Sequence, residues 1–163
     1  MNRIRNQSIE NFLEELASKK PTPGGGAAAA VAGATGASLV EMVGNLTKGN
    51  SEAGKIARKA KTLGRELLRL ADEDVEAFDA VMRAYKSRNK EDIKDALIKA
   101  ANVPSRVAKL SIELIALAKI IGKIGNKNAI SDAKTALYLA EAAKKGAEEN
   151  VKINLSVLKR LRA

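Results

Sequence analysis

Histidine, cysteine and tryptophan are missing from all 163 residues, and aromatic residues make up only 2% of the sequence. Without imidazole or thiol, the chain has no imidazole general base, no thiol nucleophile, no haem ligand of either kind and no zinc site built on His or Cys. Disulfides are excluded as well, so the fold does not depend on an oxidising compartment. Chemistry has to come from carboxylates, amides, hydroxyls, lysine or arginine, and no metal site is expected. The shortage of rings also disfavours a nucleic-acid partner, because single-strand binders stack bases on several aromatic platforms. No secretory signal is expected, since the opening residues Met-Asn-Arg-Ile-Arg-Asn lack an apolar run. The apolar stretch Gly26–Val40 is interrupted by Thr35 and Ser38 and is read as too short to cross a bilayer comfortably. The expectation is a soluble, cytoplasmic chain with no membrane partner.

The length fits a single domain over 1–163 with one substantial core. Apolar residues reach 45%, but many are alanine, so the core must be finely grained and the helices closely packed. The net charge of +10 implies an anionic partner: nucleic acid, a membrane surface or a polyanionic small molecule. Lysine and arginine are spread along every segment, a pattern more typical of a solvated surface than of a nucleic-acid patch.

Helical spacing dominates, and no segment reads as a strand; the fold class is an all-α bundle of five or six helices. Ser8 caps a short helix whose apolar positions are Ile9, Phe12, Leu13 and Leu16, ended by Pro21 and Pro23. A second helix is expected over 26–47, closed by Gly49-Asn50, and a third from Ser51 to about Tyr85. A fourth is expected over 91–102 and a fifth over 104–121, with Pro104 in the first turn of the latter. Gly122 and Gly125 stop it, a polar loop follows over 126–132, and the last helix runs from near Ser131 to about Leu161. The second helix carries Ala29, Gly33 and Ala37 on one side, with Ala32 and Gly36 beside them, which means close helix contact. Because it is apolar on nearly all sides it must be covered all round, and a homodimer is expected.

Polar residues break the apolar pattern in three places. Asp74 falls between Leu70 and Phe78 in the stripe of the third helix, so it is either paired or functional, or else it sits at the stripe's edge with Asp72 and Glu76 in solvent. On the second helix, Ala27, Ala30, Ala34, Ser38, Glu41, Asn45 and Lys48 follow one face, describing either a small-floored groove or a helix end entering solvent. On the last helix, Asn150 and Asn154 continue the stripe of Ala136, Ala140, Ala143 and Ala147, where buried amides bridge helices or serve a polar ligand. Asp132 has a structural explanation in the helix dipole. The loop Gly24–Gly26 lacks the Gly-Lys-Ser/Thr ending of a phosphate loop.

Six motifs in order, Pro21-Thr-Pro-Gly-Gly-Gly26, Glu41-Met-Val-Gly-Asn-Leu-Thr47, Asp72-Glu-Asp-Val-Glu-Ala-Phe78, Val103-Pro104, Gly125-Asn-Lys-Asn-Ala-Ile-Ser-Asp132 and Asn150-Val-Lys-Ile-Asn-Leu155, span nearly the whole chain. Together they resemble the cyclodeaminase/cyclohydrolase family, which includes the C-terminal domain of formiminotransferase-cyclodeaminase and free-standing methenyltetrahydrofolate cyclohydrolases. Relatives usually carry a further helix after the segment matching Asn150–Leu155, and the region after Tyr85 is shorter here than in many of them.

The resemblance implies an all-helical homodimer acting on a one-carbon tetrahydrofolate, polyglutamylated forms included, with no cofactor beyond that substrate. The activity it implies is hydrolysis of the methenyl bridge to 10-formyltetrahydrofolate, preferred over the ammonia-releasing cyclodeaminase reaction because no transferase is fused to the chain. A non-catalytic helical dimer and a basic nucleic-acid module are the alternatives of other classes. Under the same resemblance Asp132 is the leading general acid/base, Glu41 the second carboxylate and Asp74 the reserve. Asn45, Asn126, Asn128, Ser131 and Asn154 are expected to orient the pterin. Gly24, Gly25 and Gly26 would let the ring approach, and Lys48 would attract the glutamate tail.

Overall fold

A computed structural model describes residues 3–162; Met1, Asn2 and Ala163, which the expected 1–163 unit includes, lie outside the described residues. The described residues form five α-helices: α1 (Ile9–Leu16), α2 (Gly25–Leu46), α3 (Ser51–Ser87), α4 (Lys90–Ile124) and α5 (Ile130–Arg162). Short 3-10 turns at Ile4–Asn6 and Lys127–Ala129 complete the elements, and no strand occurs among the described residues.

Side-chain caps set several of the helix starts. Ser8 Oγ accepts the Asn11 N–H at 3.1 Å ahead of α1, and Asn50 Oδ1 accepts the Glu52 and Ala53 N–H groups at 3.0 and 3.2 Å ahead of α3. Asn89 does the same for α4 through the Glu91 N–H at 2.9 Å. Between α3 and α4 the chain turns on Arg88, a left-handed residue with φ 58°.

One expectation is corrected. The separate helices over 91–102 and 104–121 are a single helix, α4, with Pro104 inside it and Gly122 within its last turn. A proline costs an interior helix one hydrogen bond and crowds the carbonyl four residues back. Here the buried face runs unbroken through Ala101, Val103, Pro104, Val107, Ser111, Leu114 and Ile121, so packing outweighs that loss.

α2 is the thin centre of the bundle. By length and composition alone it could cross a bilayer, yet Ala27, Ala30, Ala37 and Val40 are fully buried within the protein core. Both long neighbours run antiparallel to it. Along α5 the facing pairs are Gly25 with Asn150, Gly33 with Ala143 and Gly36 with Leu139; along α3 they are Gly26 with Asp74, Gly33 with Leu67 and Gly44 with Ala57. A Cβ on Gly36 would come within 3.0 Å of the Ala136 carbonyl, so the small side chains are a steric requirement.

Leu67, Leu70, Leu114, Ile121, Val40 and Val43 fill the main core. Each fully buried side chain of this size contributes about 1.5–3 kcal/mol. A second, smaller cluster forms where α3 ends, α4 begins and α5 ends: Val81, Ile93 and Leu97 against Val157, Leu158 and Leu161. A cleft lies alongside this smaller cluster, at the α2 N-terminus.

Candidate active site

Pro21 and Pro23 keep the chain from continuing as a helix after α1, and the Thr22–Pro23 peptide is cis. Gly24, extended, begins α2 with no side-chain cap. The first-turn N–H groups therefore need other acceptors, and the Ala27 N–H finds one in the Asp74 carboxylate of α3. Gly26 permits this approach: a Cβ there would stand 2.7 Å from both Cγ and Oδ2 of Asp74. Burial pushes the Asp74 pKa above the ordinary carboxylate value, and the Ala27 N–H draws it part of the way back.

Asp74 opens onto a cleft of about 420 Å³ bounded by the 21–24 segment, the first turn of α2, α3, α4 and α5, a size suited to a small-molecule ligand. Phe78, Val81, Met82 and Tyr85 of α3 and Ile153 and Val157 of α5 supply apolar walls, and Asn150 and Asn154 supply amides. Met82, Tyr85 and Ile153 are 46%, 43% and 61% exposed, so the apolar rim is open to solvent. Asn150 Nδ2 donates to the Gly146 carbonyl at 2.8 Å, and Asn154 Nδ2 donates across to the Ala100 carbonyl of α4 at 3.1 Å. Of the residues singled out in the sequence, the cleft gathers Gly24, Gly25, Gly26, Asp74, Asn150 and Asn154.

The other candidates lie at the opposite end of the bundle. Asp132 stands in the first turn of α5, eighteen residues before Asn150, about 27 Å along the helix at 1.5 Å per residue. Asn126 is occupied in joining that end together. Its main-chain N–H donates to Thr47 Oγ1 at 2.9 Å, its Nδ2 to the Leu46 carbonyl at 3.2 Å, and its Oδ1 accepts the Asn128 N–H at 3.0 Å. Asn45, Lys48, Asn128 and Ser131 are exposed around this junction. Glu41 is separate again, in a shallow α2–α3 groove with Ala34 and Ser38, ion-paired to Lys61 Nζ at 3.2 Å. Within the chain, then, Glu41 and Asp132 do not meet Asp74.

Two features escaped the sequence reading. Asp72, assigned to solvent in the reading that put Asp74 at the stripe's edge, is the more buried carboxylate, 6% exposed and ion-paired with Arg5 Nε at 3.1 Å. Phe78 and the Tyr85 ring were visible as stripe positions, but nothing in their spacing marked them as walls of one cleft.

The profile of the formiminotransferase-cyclodeaminase family matches residues 8–161. The chain is 42% identical over 165 residues to a methenyltetrahydrofolate cyclohydrolase of Methylorubrum extorquens, covering 91% of this chain and 79% of that protein. It is 29% identical to the formimidoyltransferase-cyclodeaminase of Mus musculus over 91% of its own length, which spans only 30% of that longer protein. A solved structure of formiminotetrahydrofolate cyclodeaminase from Thermotoga maritima superposes with a TM-score of 0.90 at 34% identity, covering 98% of this chain and 84% of that one. Histidine-free, all-helical and built around a glycine-fed central helix, this chain belongs to the formiminotransferase-cyclodeaminase family.

Proposed function

We propose that the chain is a methenyltetrahydrofolate cyclohydrolase, opening the methenyl bridge to 10-formyltetrahydrofolate in the cleft beside Asp74. The observation that carries this reading is the Asp74 carboxylate itself: desolvated, held by a first-turn N–H of α2 and facing an apolar-walled pocket. A base with an elevated pKa accepts a proton more readily, and a positioned general base contributes roughly 100- to 10,000-fold. Asp74 takes a proton from water as its oxygen bonds to the cationic methenyl carbon. The same carboxyl then returns that proton to the ring nitrogen whose bond to carbon breaks, and the new hydroxyl releases its proton as the formyl C=O forms. The carboxylate also stabilises the positive charge of the bound methenyl form in a site of low polarity. Phe78 and Tyr85 add two aromatic rings to the cleft wall for the flat substrate. Thr22 is shared with a neighbouring depression lined by both signs of charge, Arg3 and Lys20 with Glu15, Asp72 and Glu76.

A homodimer fits the same picture. Met42 and Leu46 of α2 and Ile130 and Tyr138 of α5 are 37%, 48%, 38% and 64% exposed near one end of the bundle, and a second copy would cover them. The ammonia-releasing cyclodeaminase reaction is the second reading, favoured by the close match to the Thermotoga maritima structure. Loss of near-ultraviolet absorbance of methenyltetrahydrofolate on adding protein tests the first activity, and ammonia release from the formimino substrate tests the second. If neither proceeds above the uncatalysed rate, the enzyme assignment fails.

A further inference from the structure

Pro104 has no N–H, so the Ala100 carbonyl, four residues earlier in α4, lacks its donor within the helix. Asn154 of α5 fills that vacancy by donating Nδ2 to Ala100 O at 3.1 Å. Both residues line the cleft. A side-chain amide can ordinarily rotate by half a turn and exchange its donor and acceptor ends. Here such a flip would set two carbonyl oxygens against each other, because Ala100 offers only an acceptor and Pro104 cannot replace the lost bond.

We infer that Pro104 locks the Asn154 amide with Oδ1 outward, which makes Asn154 a dedicated hydrogen-bond acceptor for an N–H edge of the reduced pterin ring. This rests on the reading of the cleft as the folate site. Asn150, one turn earlier, is held in the same sense by the Gly146 carbonyl. With the Asp74 carboxylate, the cleft then presents three side-chain acceptors, complementary to the N–H-rich rim of a reduced, cationic pterin. An oxidised ring with fewer N–H groups would satisfy fewer of them. Asn154 acts here as a binding and specificity residue, and Pro104 as the residue that positions it.

The test pairs Pro104→Ala with Asn154→Ala. Pro104→Ala returns an N–H to Ala100 and frees the Asn154 amide to rotate, while circular dichroism reports whether α4 persists. Hydrogen exchange of the Asn154 side-chain amide should be at least tenfold faster in Pro104→Ala than in the parent. Equal exchange overturns the lock. With methenyltetrahydrofolate as substrate, KM should rise about tenfold in Asn154→Ala and about threefold in Pro104→Ala, with kcat within twofold. The Asn154→Ala effect should shrink in the Pro104→Ala background. Lower thermal stability in both variants at unchanged KM would mean that Asn154 only ties α5 to α4, and the specificity role falls. Absence of binding of 5-formyltetrahydrofolate to the parent protein would overturn the folate assignment and the ligand named here, and the exchange result would show separately whether the lock exists.

Discussion

Gly26 and Asp74 are packed so closely that any side chain at position 26 would occupy the space of the carboxylate. The first turn of α2 and the middle of α3 thus meet through a missing methyl group, and the carboxylate takes its place. Gly26→Ala separates stability from activity. Alanine favours the helix by about 1 kcal/mol over glycine, while its Cβ must drive Asp74 off the Ala27 N–H. Turnover is expected to fall at least tenfold with helical content retained; unchanged turnover would detach Asp74 from the chemistry.

Asp74 also governs a pH response. Its pKa is higher in the folded protein than in the unfolded chain, with desolvation as the main cause. Its stability contribution is therefore complete below the unfolded value of about 3.9 and is lost as pH rises through the raised folded value. Asp74→Asn cannot ionise, so it should raise the thermal midpoint at neutral pH and lose that advantage near about pH 3. The parent's kcat/KM should fall on the acid side with a midpoint above the ordinary aspartate value, as the base becomes protonated. Asp74→Asn should lose roughly 100-fold or more in turnover.

Asp132 offers the contrasting substitution. Lying about 27 Å along α5 from Asn150, it is outside the cleft of its own protomer. Asp132→Asn is expected to keep turnover within a few fold. A deep loss in Asp132→Asn, with activity recovered on mixing it with Asp74→Asn, would move part of the chemistry to a residue supplied by a second copy.

The α2–α3 contact predicts opposite outcomes for two glycines. A Cβ at Gly44 would sit 2.8 Å from the Ala53 carbonyl and from Ala57 Cβ, whereas one at Gly54 would meet only the end of Arg58 at 3.7 Å. Gly44→Ala should destabilise by about 1–3 kcal/mol through overpacking. Gly54→Ala should stabilise by about 0.5–1 kcal/mol through helix propensity. Urea melts of the two variants check both signs.

Arg69 and Arg106 each bridge Glu66 and Glu73, closing a ring of alternating charge between α3 and α4. The side-chain hydrogen bond from Arg69, helped by Arg106, holds the Glu66 pKa below its ordinary value against the opposing effect of burial. These groups are 24–42% exposed, so solvent screening limits each pair to about 1 kcal/mol or less. A double-mutant cycle of Arg106→Ala with Glu73→Ala should give a coupling of about 0.5–1 kcal/mol that shrinks in high salt. A coupling indistinguishable from zero would make the ring ornamental.

Local chemistry made much of the fold legible. Ser8 capped α1, the third helix started at Ser51, and the alanine stripe of α5 was buried as its spacing required. The break expected at Pro104 failed because a sequence reading weighs the lost N–H without seeing the side chain that compensates for it. Asn154 supplies that compensation from fifty residues away.

The residue order alone determined the helical class, the small-residue centre, the family motifs and the exclusion of imidazole and thiol chemistry. Each is local: a side-chain type, a repeat of three or four, or the absence of imidazole. The antiparallel docking of α3 and α5 against α2 decided which carboxylate faces a cleft, because it alone sets which helix ends share a neighbourhood. It brought Asp74, Gly26, Asn150 and Asn154 together from three helices, and left Asp132 at the far end of the bundle and Glu41 in a separate α2–α3 groove. Desolvation, which gives Asp74 its raised pKa, arises only from that packing.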